Sequence, residues 1–146
     1  MSDGRKTCQI CARAIKANTG VIAHHGYQRP HGWGHQTASC PGSRELPFEE
    51  SCAALRGYIE HTLRPAKAQA EATVERWNSN PPKEILVPAT RYNESRPVTE
   101  NDDDYERLLF VRQREAAAEL TAITRQLERQ LERISNWRAQ PETEAA

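Results

Sequence analysis

Cys8-Gln9-Ile10-Cys11, followed by Ile22-Ala23-His24-His25-Gly26 and then by Ser39-Cys40-Pro41-Gly42, decides how the first third of this chain is held together. Two residues between Cys8 and Cys11 let both sulfurs face one point, about 2.3 Å from a zinc ion, in a tight knuckle. Val21–His25 reads as a short strand and His35–Ser39 as a second. They are joined by the turn-rich Gly26-Tyr27-Gln28-Arg29-Pro30-His31-Gly32-Trp33-Gly34. Such a hairpin brings two strand ends near a preceding knuckle. Cys8, Cys11, Cys40 and one histidine then make a closed tetrahedral set of N/S ligands for one structural Zn²⁺. Adjacent strand residues face opposite ways, so only one of His24 and His25 ligates. His24 shares a face with Ile22. His25 stands where the turn begins, and that position favours it. The other histidine reads as a surface group, and His31, His35 and His61 as ordinary polar residues. Cys52 is an alternate fourth ligand, but its place on an apolar stripe assigns it to the core.

The competing account makes these residues buried free thiols and surface imidazoles. Against it stands the composition of the segment. Six of seven glycines lie at or before Gly42 and four of five histidines at or before His35, so little apolar interior exists to hide a thiol. A unit this small needs a staple. Met-Ser-Asp-Gly-Arg-Lys leads into cysteines and not into an apolar h-region. No secretion signal is expected, and metal binding is preferred to disulfides.

Beyond Gly42 the chain reads as helix, linker, helix. Over residues 47–79, Pro47 suits a first helical position, and Glu49 and Glu50 suit the positive end of the dipole. Cys52, Leu55, Ile59, Thr62 or Leu63, Ala66, Ala70, Val74 and Trp77 recur at spacings of three and four. Pro65 is expected to kink that helix, and Asn78-Ser79-Asn80-Pro81-Pro82 to end it. Residues 81–101 read as a Pro-rich linker in which Ile85-Leu86-Val87 is a short extended piece. A long helix follows over 102–138, with Asn101 as N-cap and Asp102, Asp103 and Asp104 on the dipole. Its inner face is Leu109, Ala116, Leu120, Ile123, Leu127, Leu131, Ile134 and Trp137 or Arg138. Arg125–Glu128 and Arg129–Glu132 are expected as i,i+3 pairs on the wet side. Neither helix can bury its stripe alone, so an antiparallel helical hairpin closed within one chain or between two copies is the economical arrangement.

The fold class expected is therefore small α+β. A zinc-stapled β-hairpin lobe of treble-clef or zinc-knuckle type spans 1–45, a first helix kinked near Pro65 spans 46–80, the linker 81–101, a long second helix 102–140, and a disordered tail 141–146. A chain of 146 residues allows one domain or two small lobes. A mean hydropathy of −0.83 argues for exposed, elongated helices over one large core. No apolar run approaches the roughly 20 residues of a membrane span, and a cytoplasmic location is the default expectation. The net charge is zero, yet residues 1–45 hold six Lys/Arg against two Asp/Glu, and residues 81–110 four against seven. Three thiolates on one Zn²⁺ reduce the N-terminal excess. The lobe stays mildly basic, which permits phosphate contact without demanding it.

Cys8 through Ala17, Ile22 through Pro30 and Gln36 through Cys40 resemble the N-terminal segment of uncharacterised small bacterial and prophage-type zinc-finger proteins. These share the order of cysteine knuckle, His-His-Gly-Tyr segment, Ser-Cys turn and long helices. The resemblance covers the first third of the chain and reaches the helices by pattern. It implies a mobile-element setting, in which small accessory proteins regulate genes or block host defence, and it implies no particular activity.

Closed coordination points away from catalysis, because a catalytic zinc needs an open position and a nearby base. The sequence carries no H-E-x-x-H, no H-x-E with P-C-x-x-C, no phosphate-binding glycine loop and no G-x-S-x-G. A non-enzymatic protein is expected. In the first reading its lobe contacts nucleic acid through Arg13, Lys16, Tyr27, Arg29 and Trp33, with Arg5, Lys6 and His31 beside them. On the plainer account Tyr27 and Trp33 cover the metal and the charges are solvated. The second reading is an adaptor or inhibitor that grips a host protein, such as a defence component, through charge-balanced helices able to self-associate as a coiled coil or homodimer. The third is a metal-dependent hydrolase using His24 and His25 as ligand and base. It lacks the paired acidic ligands that such sites use.

Overall fold

A computed structural model of the chain describes residues 4–26 and 38–138. The expectations for Tyr27, Arg29, His31, Trp33, His35 and the tail at 141–146 fall outside those residues. The protein is a small α+β chain with two small antiparallel sheets and a long C-terminal helix. It divides into two compact units. One joins the residues up to Leu63 with those from Leu127 onward, and the other is Arg64–Gln126. No helix is long and apolar enough to cross a membrane among the described residues.

In the first unit, β1 (Arg5–Thr7) pairs antiparallel with β2 (Ala14–Lys16), with Arg5 opposite Lys16, Lys6 opposite Ile15 and Thr7 opposite Ala14. The hairpin thus encloses the Cys8–Cys11 knuckle. The expected hairpin lay further on, but Val21–His25 forms no strand, and of the later pairing only a single bridge between Gly26 and Ser39 is present among the described residues. Each observed strand has three residues, too few for a period-two pattern to register. The knuckle closes the ladder instead, through the Cys8 N–H to the Arg13 carbonyl at 2.9 Å. Ile22 anchors the segment before the histidines. It is fully buried, donates to Glu45 O at 2.9 Å and accepts from Arg44 N at 2.7 Å.

The first helix is shorter at its start than Pro47 suggests. Residues 47–50 form a turn, and α1 spans Ala53–Tyr58. Competition for polar groups explains the delay. Glu49 accepts the Thr7 N–H on both carboxylate oxygens, at 2.8 and 2.9 Å, and the Phe48 N–H goes to Thr7 O at 2.8 Å. These bonds hold the segment against β1. One of the helix's free N–H groups, that of Leu55, is taken by the buried Gln9 side chain at 3.0 Å. A π-helical turn, Ile59–Leu63, follows, and then α2 (Arg64–Ser79). The wide turn falls just before Pro65. Proline cannot donate to the carbonyl four residues back, and i→i+5 pairing moves the demand past it. The apolar stripe is borne out, with Cys52, Leu55, Ile59, Leu63 and Ala70 buried.

In the second unit, the segment expected as a linker contains a hairpin. β3 (Glu84–Val87) pairs antiparallel with β4 (Arg96–Thr99), with Ile85 opposite Val98. Ile85, Val98 and Tyr105 form its core, with Trp77, Val87, Leu108 and Leu109 packed against it, and Tyr105 Oη donates to Pro82 O at 2.7 Å. The long helix α3 spans Tyr105–Ser135. It starts later than Asn101 because Asp102 is spent on a turn, where its carboxylate accepts from Thr99 N at 2.8 Å and its own N–H donates to Thr99 O at 2.9 Å. Gln113 Nε2 donates to Trp77 O at 3.1 Å. The i,i+3 pairs formed among the described residues are Asp104–Arg107 and Arg112–Glu115, not the expected Arg125–Glu128 and Arg129–Glu132. Exposed pairs are worth so little that neither pattern is strongly selected.

Candidate metal centre

The knuckle puts three elements of local geometry around its sulfurs. The Cys8 carbonyl accepts the Ala12 N–H at 3.1 Å, which closes a turn that leaves Ala12 in the left-handed region at φ 62°. The backbone N–H of Ile10 and that of Cys11 bond to the Cys8 sulfur, and that of Arg13 to the Cys11 sulfur. A second, smaller knuckle repeats the device. The Ser43 N–H bonds to Cys40 O at 3.0 Å, and the Gly42 N–H serves the Cys40 sulfur. A Cβ on Gly42 would collide with Cys8 Sγ, so glycine is what lets the two knuckles meet.

The ligand atoms of Cys8, Cys11, His25 and Cys40 all lie within 4.8 Å of one another. Cys8 Sγ is 3.8 Å from Cys40 Sγ, and Cys11 Sγ is 3.3 Å from His25 Nε2. Sulfurs bound about 2.3 Å from a tetrahedral zinc stand about 3.8 Å apart, so the cluster has the dimensions to hold such an ion. The choice between the two histidines follows from hydrogen bonds. His25 Nδ1 donates to Ala23 O at 2.8 Å, a carbonyl being able only to accept. Nε2 is therefore the lone-pair nitrogen, and it is the one beside Cys11. Ser43 Oγ accepts the His25 N–H at 3.2 Å and steadies the same residue. His24 turns away to Ser39 Oγ at 2.7 Å. Cys52 lies outside the cluster, buried, with Arg56 Nε donating to its sulfur at 3.2 Å.

Three thiols this close share charge. Hydrogen bonds from Cys40 and Cys8 hold the Cys11 thiol far below the ordinary thiol range. The same contact with Cys11 pushes Cys8 and Cys40 up. Negative charge therefore collects on Cys11, where Arg13 Nε approaches the sulfur at 3.5 Å. The other end of Arg13 donates to Gly26 O. Arg13 was a candidate contact for nucleic acid, and here it is engaged at the cluster. Lys16 is exposed on β2.

Residues from the far end of the chain complete the surroundings. Arg133 and Gln130 of α3 bond to the knuckle carbonyls, and the Arg133 guanidinium lies 4.4 Å from the centre of the Phe48 ring. Burial lowers Arg133 from its usual value, while the neighbouring Cys8 and Cys11 sulfurs work the other way. Sequence reasoning missed Gln9, Gly42, Gln130 and Arg133. Only the Cys-Pro-Gly-Ser turn carried a signal for one of them, as a second knuckle.

Comparison with family models, curated proteins and solved structures returned no match.

Proposed function

We propose that the chain is a non-enzymatic zinc-binding accessory or regulatory protein whose metal is structural and whose N-terminal lobe contacts nucleic acid. The observation that carries the metal part is the approach of four protein ligand atoms, one from each of Cys8, Cys11, His25 and Cys40, to within 4.8 Å. Three thiolates and an imidazole in tetrahedral dimensions suit zinc among the common divalent metals. Four protein ligands leave no position for a substrate, which favours a structural ion over a hydrolase. Three thiolates on Zn²⁺ leave one negative charge, and Arg13 and Arg133 answer it. We read the first unit as treble-clef-like, with α2 and α3 as an antiparallel helical pair. The exposed Arg5, Lys6 and Lys16 of β1 and β2 supply the basic surface for phosphate.

The test is metal content by elemental analysis of the wild type and single variants. One zinc per chain is expected, lost in Cys8→Ser, Cys11→Ser, His25→Ala and Cys40→Ser and kept in His24→Ala and Cys52→Ser. Folded protein without metal in every preparation overturns the reading. For the partner, retardation of nucleic acid that weakens steeply with salt is expected, and Lys6→Ala with Lys16→Ala should flatten the salt slope.

A second reading, an adaptor for a host protein, is favoured by the second unit. An open cleft of about 320 Å³ is lined by Trp77, Ile85, Leu86 and Ala116 and rimmed by Glu84, Glu115 and Glu119. Leu86 is 59% exposed at its edge. Arg112 is engaged by Glu115 and Leu86 O. Glu84 and Glu119 form no ion pair among the described residues. The occupant that fits is a protein segment with a basic side chain flanked by apolar ones. Loss of a co-purifying protein on Leu86→Asp, with zinc content unchanged, would select this reading over the first. The mobile-element setting that the resemblance implies accommodates both.

A further inference from the structure

The loop carrying Cys8 and Cys11 is served from the far end of the chain. Its three consecutive carbonyls accept hydrogen bonds from α3. Arg133 Nη2 donates to Cys8 O at 3.4 Å and Nη1 to Gln9 O at 2.7 Å, while Gln130 Nε2 donates to Ile10 O at 3.1 Å. Arg133 Nη1 also meets Gln130 Oε1 at 2.7 Å, so the two side chains hold one another in position. Around them Leu127 and Ile134 pack on the core that contains Cys8, Ile10 and Cys40, and Trp137 Nε1 donates to Phe48 O at 2.6 Å.

The geometry of a knuckle makes this arrangement dependent on its conformation. In a trans peptide group the N–H and C=O point opposite ways, so with the Ile10 and Cys11 N–H groups turned toward the Cys8 sulfur the Gln9 and Ile10 carbonyls turn outward together, and where they are buried they need donors. The constellation of three carbonyls exists only while the loop keeps its ligand-holding shape. A metal bound to Cys8 and Cys11 fixes that shape, because a small ligand loop is ordered by its ion. If the loop relaxes, the helix loses three hydrogen bonds at once. Conversely, a docked helix holds the loop ready and removes part of the ordering cost of taking up metal. A coupling of this kind is reciprocal by linkage.

We propose that metal occupancy of the Cys8–Cys11–His25–Cys40 centre and docking of residues 127–138 are reciprocally coupled, with Arg133 and Gln130 as the positioning residues that transmit the coupling. The proposal rests on the zinc reading above and adds to it a regulated element more than a hundred residues in sequence from the Cys8–Cys11 loop. The loaded protein holds Leu127 and Ile134 against the core. Loss of metal frees them, with Leu131 and Trp137, as an apolar helical stripe for a partner.

The experiment uses the full chain, with zinc itself as the probe. Amide hydrogen exchange over residues 127–138 is followed with one equivalent of zinc and with excess chelator. Zinc affinity is measured by competition with a chromophoric chelator in the wild type, Arg133→Ala, Arg133→Lys, Gln130→Ala and Arg129→Ala, the last on the exposed side of the same turns. Expected are loss of protection over 127–138 on chelation and a zinc Kd raised about 10–100-fold in Arg133→Ala, the range seen for groups that orient metal ligands. Arg133→Lys should restore part of the loss and Arg129→Ala should change nothing. Stoichiometric zinc binding with unchanged exchange over 127–138, or with the same Kd in Arg133→Ala and Gln130→Ala as in the wild type, overturns the coupling and leaves the zinc reading standing. Failure of the wild type to bind one zinc overturns both. The exchange measurement needs no variant, so an unstable Arg133→Ala does not remove the test.

Discussion

Arg133 Nη1 lies 2.7 Å from the carbonyl oxygen of Gln9, so the last turns of α3 close over the loop between the first two cysteines. Gln9 is itself nearly fully buried. Its side chain donates to Leu46 O at 2.8 Å and accepts from Leu55 N at 3.0 Å. One residue of the knuckle therefore ties together α1, the turn before it and α3. Replacing Arg133 by Met keeps most of the stem packing but leaves the Gln9 and Cys8 carbonyls without these donors and removes the cation from the Phe48 ring. A loss of about 1–3 kcal/mol in unfolding free energy is expected for the zinc-loaded protein, read from urea denaturation. A change within about 0.5 kcal/mol would mean that solvent serves those carbonyls equally well.

The charge distribution among the three thiols sets how zinc uptake depends on pH. Contact with Cys11 raises Cys8 and Cys40, so both keep their protons at neutral pH, whereas Cys11, held low by hydrogen bonds from Cys40 and Cys8, has already lost its own. Zinc takes thiolates, so binding must expel the protons of Cys8 and Cys40. Affinity therefore rises with pH. Calorimetry at pH 7.5 in two buffers of different ionisation enthalpy should find about two thiol protons released per zinc. Three independent thiols of ordinary pKa would release about 2.7 at that pH, and that count would show that the cluster does not share its charge before the metal arrives.

Gly42 and Gly57 separate a glycine required by close approach from one that is not. A methyl group on Gly42 would collide with the Cys8 sulfur and prise the two knuckles apart, whereas Gly57, inside α1, has nothing within 4 Å of the added carbon. Gly42→Ala should weaken zinc binding by at least about tenfold, on the order of the loss seen when groups that orient metal ligands are disturbed. Gly57→Ala should bind zinc normally and gain about 0.5–1 kcal/mol of stability, the usual advantage of alanine within a helix. Chelator competition and thermal unfolding on the two variants distinguish them. Equal zinc affinity in Gly42→Ala would mean that the Cys40 turn can shift without cost.

The cluster was legible because ligand chemistry sets its own spacing. Cys8-x-x-Cys11 and the Ser39-Cys40-Pro41-Gly42 turn are recognisable without any knowledge of the strands around them. The strands were not legible. Arg5–Thr7 and Ala14–Lys16 are too short for periodicity, and they pair because the knuckle between them folds back. The hairpin of β3 and β4 was hidden by the prolines of residues 81–101. Pro97, opposite Leu86, stands in a two-stranded sheet where a missing donor can face away from the partner strand. The helical stripe of residues 52–77 was read well, since repeated apolar residues at spacings of three and four admit one interpretation. The end of α3 was read less well, because a pattern search assumes that inward positions are apolar. Gln130 and Arg133 point inward to serve backbone carbonyls, and no periodicity reports that.

Leu127 and Leu131, one helical turn apart on α3, test that last point directly. The apolar spacing predicts both on the inner face. Leu127 is 5% exposed and belongs to the core around Cys8, Ile22 and Leu55, whereas Leu131 is 36% exposed. The face of α3 centred on Leu127, Gln130 and Ile134 meets the core and the knuckle, and Leu131, on its flank opposite Arg133, lies toward solvent. Leu127→Ala removes buried methyl groups from a packed site and should cost about 2–4 kcal/mol. Leu131→Ala loses only partly buried surface and should cost less than about 1 kcal/mol, offset in part by the higher helix propensity of alanine. Chemical denaturation of the zinc-loaded variants measures both. Equal losses would mean that Leu131 is covered in solution, and a loss for Leu131 that grows with protein concentration would identify the cover as a second copy of the chain.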